Sequence, residues 1–144
     1  MSADQLRLAR ENAFKFLYQC DSETLNYFSE PHFQSFALHF EAPHDTIERC
    51  RMLCIGTLGK LDPIDMIIGD HAKQWSVGRL PATDRCVLRM AIWELLETET
   101  STKIILNEAI ELAKKFGTED SARFVNGLLD AAAKAVRKQS NSPS

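Results

Sequence analysis

Near its amino terminus the chain places Arg7, Arg10, Phe14 and Tyr18 three, four and four residues apart. On a helix of 3.6 residues per turn these four share a face. Arginines neutralise phosphates and exposed aromatic rings stack on unpaired bases, which are the parts that single-stranded RNA recognition combines. The same spacing also suits packing, with Phe14 and Tyr18 widening a core contact and the arginines solvated. Arg85, Arg89 and Trp93 form a second set at four-residue intervals. There, Arg89 over the indole would make a stabilising cation–π pair. Glu108 shares a flank with Ile104 and Leu112, where a carboxylate calls for a partner such as an arginine. Asp120 falls in the first turn of the last helix, where a negative charge offsets the dipole, and Phe124 lies off the centre of that helix's apolar stripe. Gly127 interrupts the same helix at a cost of about 1 kcal/mol relative to Ala. Its missing side chain therefore predicts a close helix approach or a bound partner.

Enzymatic signatures fail on context. Gly56-Thr57-Leu58-Gly59-Lys60 lacks the glycine spacing, the preceding strand and the hydroxyl residue of a phosphate loop. An RNA-clamping Gly-x-x-Gly loop needs a sheet, and no strand pattern is present. His32, His39, His44 and His71 are dispersed, with no nucleophile placed beside them. Cys20, Cys50, Cys54 and Cys86 have neither C-x2-C spacing nor a secreted framework, so they read as free thiols and no metal site is expected. Cys50 and Cys54 lie one helical turn apart, which suits packing. No catalytic residue and no cofactor are assigned.

The elements that position these groups read as helices almost throughout, giving an all-α fold. At 144 residues, 44% hydrophobic and 26% charged, the chain has the size and composition of one globular domain. Its net charge of −3 argues against a surface coated in positive charge, though not against a local basic site. Without a signal sequence or an apolar run long enough to span a bilayer, the expected location is cytoplasmic, away from membranes.

A first helix is predicted from about Asp4 to Gln19, burying Leu6, Ala9, Ala13, Phe16, Leu17 and Cys20. The aromatic stretch from Glu23 to Phe40 suggests two short helices meeting near Pro31. Asp45 is expected to cap a helix running to about Lys60, with Glu48 reciprocating. Asp62-Pro63 should open another that reaches about Gln74. After a loop over Ser76–Pro81, helices follow from Pro81, from Thr102 to Phe116, and from the cap Thr118. Gly117 is expected to stop the second of these. The last buries Val125, Leu128, Leu129, Ala132 and Val136. About seven helices thus form two packed subdomains, 1–74 and 81–137, within one domain spanning 1–137. A frayed, flexible tail covers 138–144.

Several segments together resemble the NusB family of bacterial transcription antitermination factors. They are Ala9-Arg10-Glu11 with Leu17-Tyr18, Trp75 with Arg79-Leu80, and Leu88-Arg89-x-Ala91 with Glu94-Leu95. Asn107-Glu108-Ala109-x-Glu111-Leu112-Ala113, and Phe116-Gly117 with Phe124-Val125-Asn126-Gly127-x-Leu129-Asp130, complete the set. The resemblance covers nearly the full length and implies a two-subdomain helical fold without catalysis. It implies binding to the boxA element of nascent ribosomal RNA transcripts together with NusE, a small-subunit ribosomal protein. The RNA polymerase elongation complex, with other Nus factors, would be the setting, and a homodimer is left open. By position, Arg10, Tyr18, Asp120 and Phe124 would border the RNA site, with Arg7 in the basic amino-terminal segment. Asp84 would lie at or near the NusE surface. The family's amino terminus is often a dense arginine cluster, whereas here Leu6 and Leu8 flank Arg7 and Asp4 precedes it. Fewer phosphate contacts mean weaker RNA binding alone. Two alternatives are a protein-interaction module with little RNA binding, and a detached relative of the NusB-like domain of ribosomal RNA methyltransferases. In the latter case the chain itself would not methylate, because it has no dinucleotide-type glycine motif.

Overall fold

The computed structural model describes residues 1–73 and 75–137. These form seven α-helices and no strand among the described residues: α1 (Ala3–Ser22), α2 (Glu30–Ala37), α3 (His44–Gly59), α4 (Leu61–Ala72), α5 (Ala82–Glu97), α6 (Thr102–Phe116) and α7 (Glu119–Arg137). No helix among them is long and apolar enough to cross a membrane. The chain divides into two compact units, Met1–Leu61 and Asp62–Ser144.

In the first unit α1 packs on α3. The Ser2 hydroxyl accepts from the Gln5 N–H at 3.1 Å while the Gln5 side-chain Oε1 accepts from the Ser2 N–H at 2.9 Å. This reciprocal cap starts the helix one residue earlier than periodicity predicts. At its other end the Thr24 N–H donates to Asp21 O (3.1 Å) and the Leu25 N–H to Cys20 O (2.8 Å). Thr24 takes the left-handed position, φ 58°, that glycine usually fills in this motif. Phe16 is the hub of an aromatic cluster, with Phe33 and Phe36 edge-on at 5.3 Å between ring centroids and the His32 ring at 4.8 Å.

Two expectations are corrected in this unit. The stretch from Glu23 to Phe40 holds one helix, α2, because Ser29 caps it and Pro31 falls in its first turn, where a missing N–H costs nothing. Asp45 does not cap α3. The helix begins at His44 after Pro43, with no side-chain cap, and Asp45 instead lies in the first turn.

In the second unit α5 packs on α6 and α7, which also pack on each other. Ten of the sixteen residues of α5 are buried, which makes it the unit's central helix. Its carboxyl end is held from α7, where the Arg137 guanidinium donates to the carbonyls of Glu94 (3.2 Å), Leu95 (2.9 Å), Thr98 (2.9 Å) and Thr100 (2.7 Å). Carbonyls left over at a helix terminus thereby gain a charged donor. Helix α6 has the predicted bounds, with Ser101 accepting from the Ile104 N–H at 3.3 Å. Helix α4 ends at Ala72, short of the predicted boundary. Gln74 and the predicted tail, 138–144, lie outside the described residues.

Candidate nucleic-acid and partner interface

The α1 stripe is only partly presented. Arg7 is exposed and Tyr18 is 42% exposed, but Arg10 (4%) and Phe14 (3%) are buried. The Phe14 and Tyr18 ring centroids are 6.1 Å apart, so the buried ring supports the exposed one. Arg7 and Tyr18, eleven residues apart, fall within roughly 20° of each other around the helix and about 16 Å apart along it. A cation and a stacking platform thus lie along one side of α1. This separation suits several nucleotides of a single strand better than one base.

In the second unit the other candidate residues converge. A cavity of about 340 Å³ is walled by Trp75, Leu80, Pro81 and Phe124, with Asp84, Arg79, Thr118, Asp120 and Ser121 supplying its polar lining. Each wall has a local cause. Residues 77–79 make a single 3-10 turn, and the Arg85 guanidinium ties it down by donating to Val77 O (3.2 Å), Gly78 O (3.5 Å) and Leu80 O (2.8 Å). On the opposite wall Thr118 caps α7, its hydroxyl accepting from the Ser121 N–H at 3.1 Å. Gly117 allows that turn. A Cβ there would lie 2.7 Å from Ser121 Oγ and 2.9 Å from Ala113 O, so the requirement is close approach, not a left-handed backbone.

Asp84 is the third residue of α5 and only 5% exposed. An acidic side chain at this position ordinarily reaches back to the cap residue's N–H. Here the cap is Pro81, which has none. Asp84 Oδ1 is left buried without a hydrogen-bond partner. Asp120 is exposed and paired with Arg123, and Phe124 is half-buried, as its off-centre position predicts. The resemblance assigns Asp120 and Phe124 to RNA and Asp84 to a protein, yet all three line one cavity.

Trp75, Arg79, Leu80 and Pro81 were not assigned to a site from the sequence. The sequence signals for them are Trp75 with Arg79-Leu80 among the segments that carry the family resemblance, and Pro81 three residues before an acid.

Other polar surplus is structural. Arg89 grips Asp65 of α4 in a fork, Nε to Oδ1 and Nη2 to Oδ2 both at 2.8 Å. Trp93 is buried. Gly127 is exposed, and a Cβ there would meet nothing within 4 Å, so no close helix approach accounts for it.

All four cysteines are free and buried. Burial, reinforced by Glu23, pushes the Cys20 thiol up to about 11, and burial, with a hydrogen bond that the neutral Cys54 thiol makes to Cys50, raises Cys54 well above the ordinary thiol range. Neutral thiols of this kind are poor nucleophiles, even with His32 Nδ1 3.9 Å from Cys20 Sγ. Among the described residues no group of three or more His, Cys, Asp or Glu is arranged to hold a metal.

Comparison with known proteins matches residues 7–134 to the NusB family. The transcription antitermination protein NusB of Elusimicrobium minutum is 39% identical over 143 residues, covering 94% of this chain and 97% of that protein. Its counterpart in Syntrophus aciditrophicus is 36% identical over 138 residues, covering 95% and 84%. Among solved structures, T. maritima NusB superposes with a TM-score of 0.81 at 34% identity, covering 96% of this chain and 97% of that one. A structure of antitermination factors NusB and NusE in complex with dsRNA gives a TM-score of 0.82 at 27% identity, covering 93% and 99%.

Proposed function

We propose that this chain, which belongs to the NusB family, is a non-catalytic, cytoplasmic transcription antitermination factor that binds boxA RNA together with NusE. The observation that carries the proposal is likeness along nearly the whole chain to proteins bearing that name, one of which was solved with NusE and dsRNA. On this basis Arg7 and Tyr18 contact RNA directly, the first by charge and the second by stacking. Arg10 and Phe14, being buried, act by holding that face of α1 in place. Asp120 and Phe124 border the RNA, and Asp84 belongs to the protein-binding side. The RNA polymerase elongation complex with other Nus factors is where the assembly acts.

The thin basic segment makes RNA affinity depend on NusE, since each phosphate contact that is missing lowers both affinity and its salt dependence. The test is a boxA titration at fixed salt with and without NusE. We expect binding to tighten at least about tenfold when NusE is present. Equal affinities would remove the dependence on the partner. NusE binding with no RNA binding under either condition would leave a protein-interaction module.

A further inference from the structure

We infer that Lys15 is a further RNA contact of α1, holding the phosphate of the nucleotide whose base stacks on Tyr18. The inference rests on the reading above that this face of α1 binds RNA, and it names the residue that supplies charge where the ring is. Helix α1 carries three basic residues, Arg7, Arg10 and Lys15. Arg10 is buried, which leaves Arg7 and Lys15 to face solvent. Arg7 stands about 16 Å along the helix from Tyr18, too far to grip a nucleotide stacked on that ring. Lys15 is one turn before Tyr18, about 4.5 Å along the axis. Residues so spaced are surface neighbours, with Cβ atoms about 5–6 Å apart.

Lys15 is also uncommitted. Glu11 lies four residues before it, acid before base, which is the order that favours a pair along a helix. Yet among the described residues no hydrogen bond or ion pair holds Lys15. Arginines elsewhere are engaged inside the fold: Arg51 on Glu30, Arg89 on Asp65, and Arg137 on the carbonyls at the end of α5. An ammonium on a flexible stem is a compact charge with three donors, which suits a phosphate oxygen better than a base edge. Lys15 therefore adds affinity and fixes the strand's position without reading sequence. A cation beside a stacking ring is the combination that holds single strands. A carboxylate of a partner protein is the competing occupant, and it would bring that protein, not RNA, to this turn of α1.

The experiment titrates boxA RNA in the presence of NusE across a salt series, for wild type, Lys15→Gln, Lys15→Arg and Lys103→Gln. One single-strand phosphate contact contributes about 0.7 to the slope of log affinity against log salt, or roughly fivefold in affinity at about 0.1 M salt. Lys15→Gln should show both losses with its melting temperature unchanged, and Lys15→Arg should restore both. Lys103→Gln removes an exposed lysine of α6 and should change neither. In a Tyr18→Ala background Lys15→Gln should cost less than it does alone, because the two side chains hold one nucleotide. Unchanged affinity and slope in Lys15→Gln overturn the inference. So does an equal loss in Lys103→Gln, which would mark net charge alone, and so does strict additivity with Tyr18→Ala. Weakened NusE binding in Lys15→Gln with RNA affinity intact also overturns it, in favour of a protein carboxylate. If wild type binds no boxA RNA, the functional reading itself has failed. Oligouridylate then decides Lys15 by the same slope: a shallower slope in Lys15→Gln supports the phosphate contact, and equal slopes or no binding overturn it.

Discussion

Helices α1 and α5 carry the same device in sequence, arginines and an aromatic ring on a stripe of helical spacing, and the fold uses them differently. On α1 the two ends of the stripe, Arg7 and Tyr18, reach the surface, while Arg10 and Phe14 between them are buried. On α5 the stripe is used for internal bonds and packing. Arg85 ties down the carbonyls of the preceding turn, Arg89 grips Asp65, and Trp93 is buried. Spacing sets which residues share a face. Whether that face is free for a partner depends on acceptors supplied by other elements. Arg85 finds its acceptors in the turn over 77–80, and Arg89 finds a carboxylate 24 residues away on α4.

That contrast can be broken most directly at Arg89. Replacing it by Ala leaves the half-buried Asp65 carboxylate without its fork, and the unfolding free energy should fall by about 2 kcal/mol in a denaturant melt. RNA affinity should not move. A melt unchanged with RNA affinity lost would show that α5 serves as a binding stripe after all.

Tyr18→Ala should do the reverse on α1. Losing one stacking ring should weaken boxA binding by about tenfold. Stability should stay within about 0.5 kcal/mol of wild type, since the ring is largely outside the core. A large loss of stability with RNA affinity intact would return Tyr18 to a packing role.

The smallest effect concerns a third arginine. Arg51 of α3 holds Glu30 of α2, with Nη2 2.7 Å from Oε2, and lies 5.9 Å from the Phe28 centroid. The hydrogen bonds from Arg51 and then Gln34 hold the Glu30 carboxyl below its ordinary value of 4.5. A depressed carboxylate contributes stability above its unfolded pKa and loses it as pH falls through the folded one. Stability should therefore decline slightly on acidification below about 4.5, and Glu30→Gln should flatten that slope in melts taken at successive pH values. An identical slope in the variant would show that this surface pair contributes nothing measurable.

Much of the fold was legible because helices are announced locally. Thr118 caps the helix that follows it as the sequence predicts, and α6 runs from Thr102 to Phe116 with Gly117 behind it. The errors also have local causes. Pro31 reads as a break between two helices, but a proline in the first turn is tolerated. Asp45 reads as a cap, but the chain entered α3 two residues sooner, from Pro43 and without a side-chain cap.

The site was legible only in its parts. Arg7, Tyr18, Asp84, Asp120 and Phe124 can be named from the sequence and its resemblance, but their separation along the chain says nothing about a shared cavity. Asp84 and Phe124, forty positions apart in number, line the same cavity because α5 and α7 pack together.

By itself, then, the sequence determined the helices, most of their buried faces and the family resemblance, because caps and 3.6-residue periodicity act over a few neighbouring residues. Tertiary structure alone decided which polar side chains stay available. Arg137 is used up on carbonyls some forty residues away, whereas Asp84 is buried beside a proline that has no N–H to give. Hydrogen-bond satisfaction depends on atoms brought together by packing, and no spacing rule contains them.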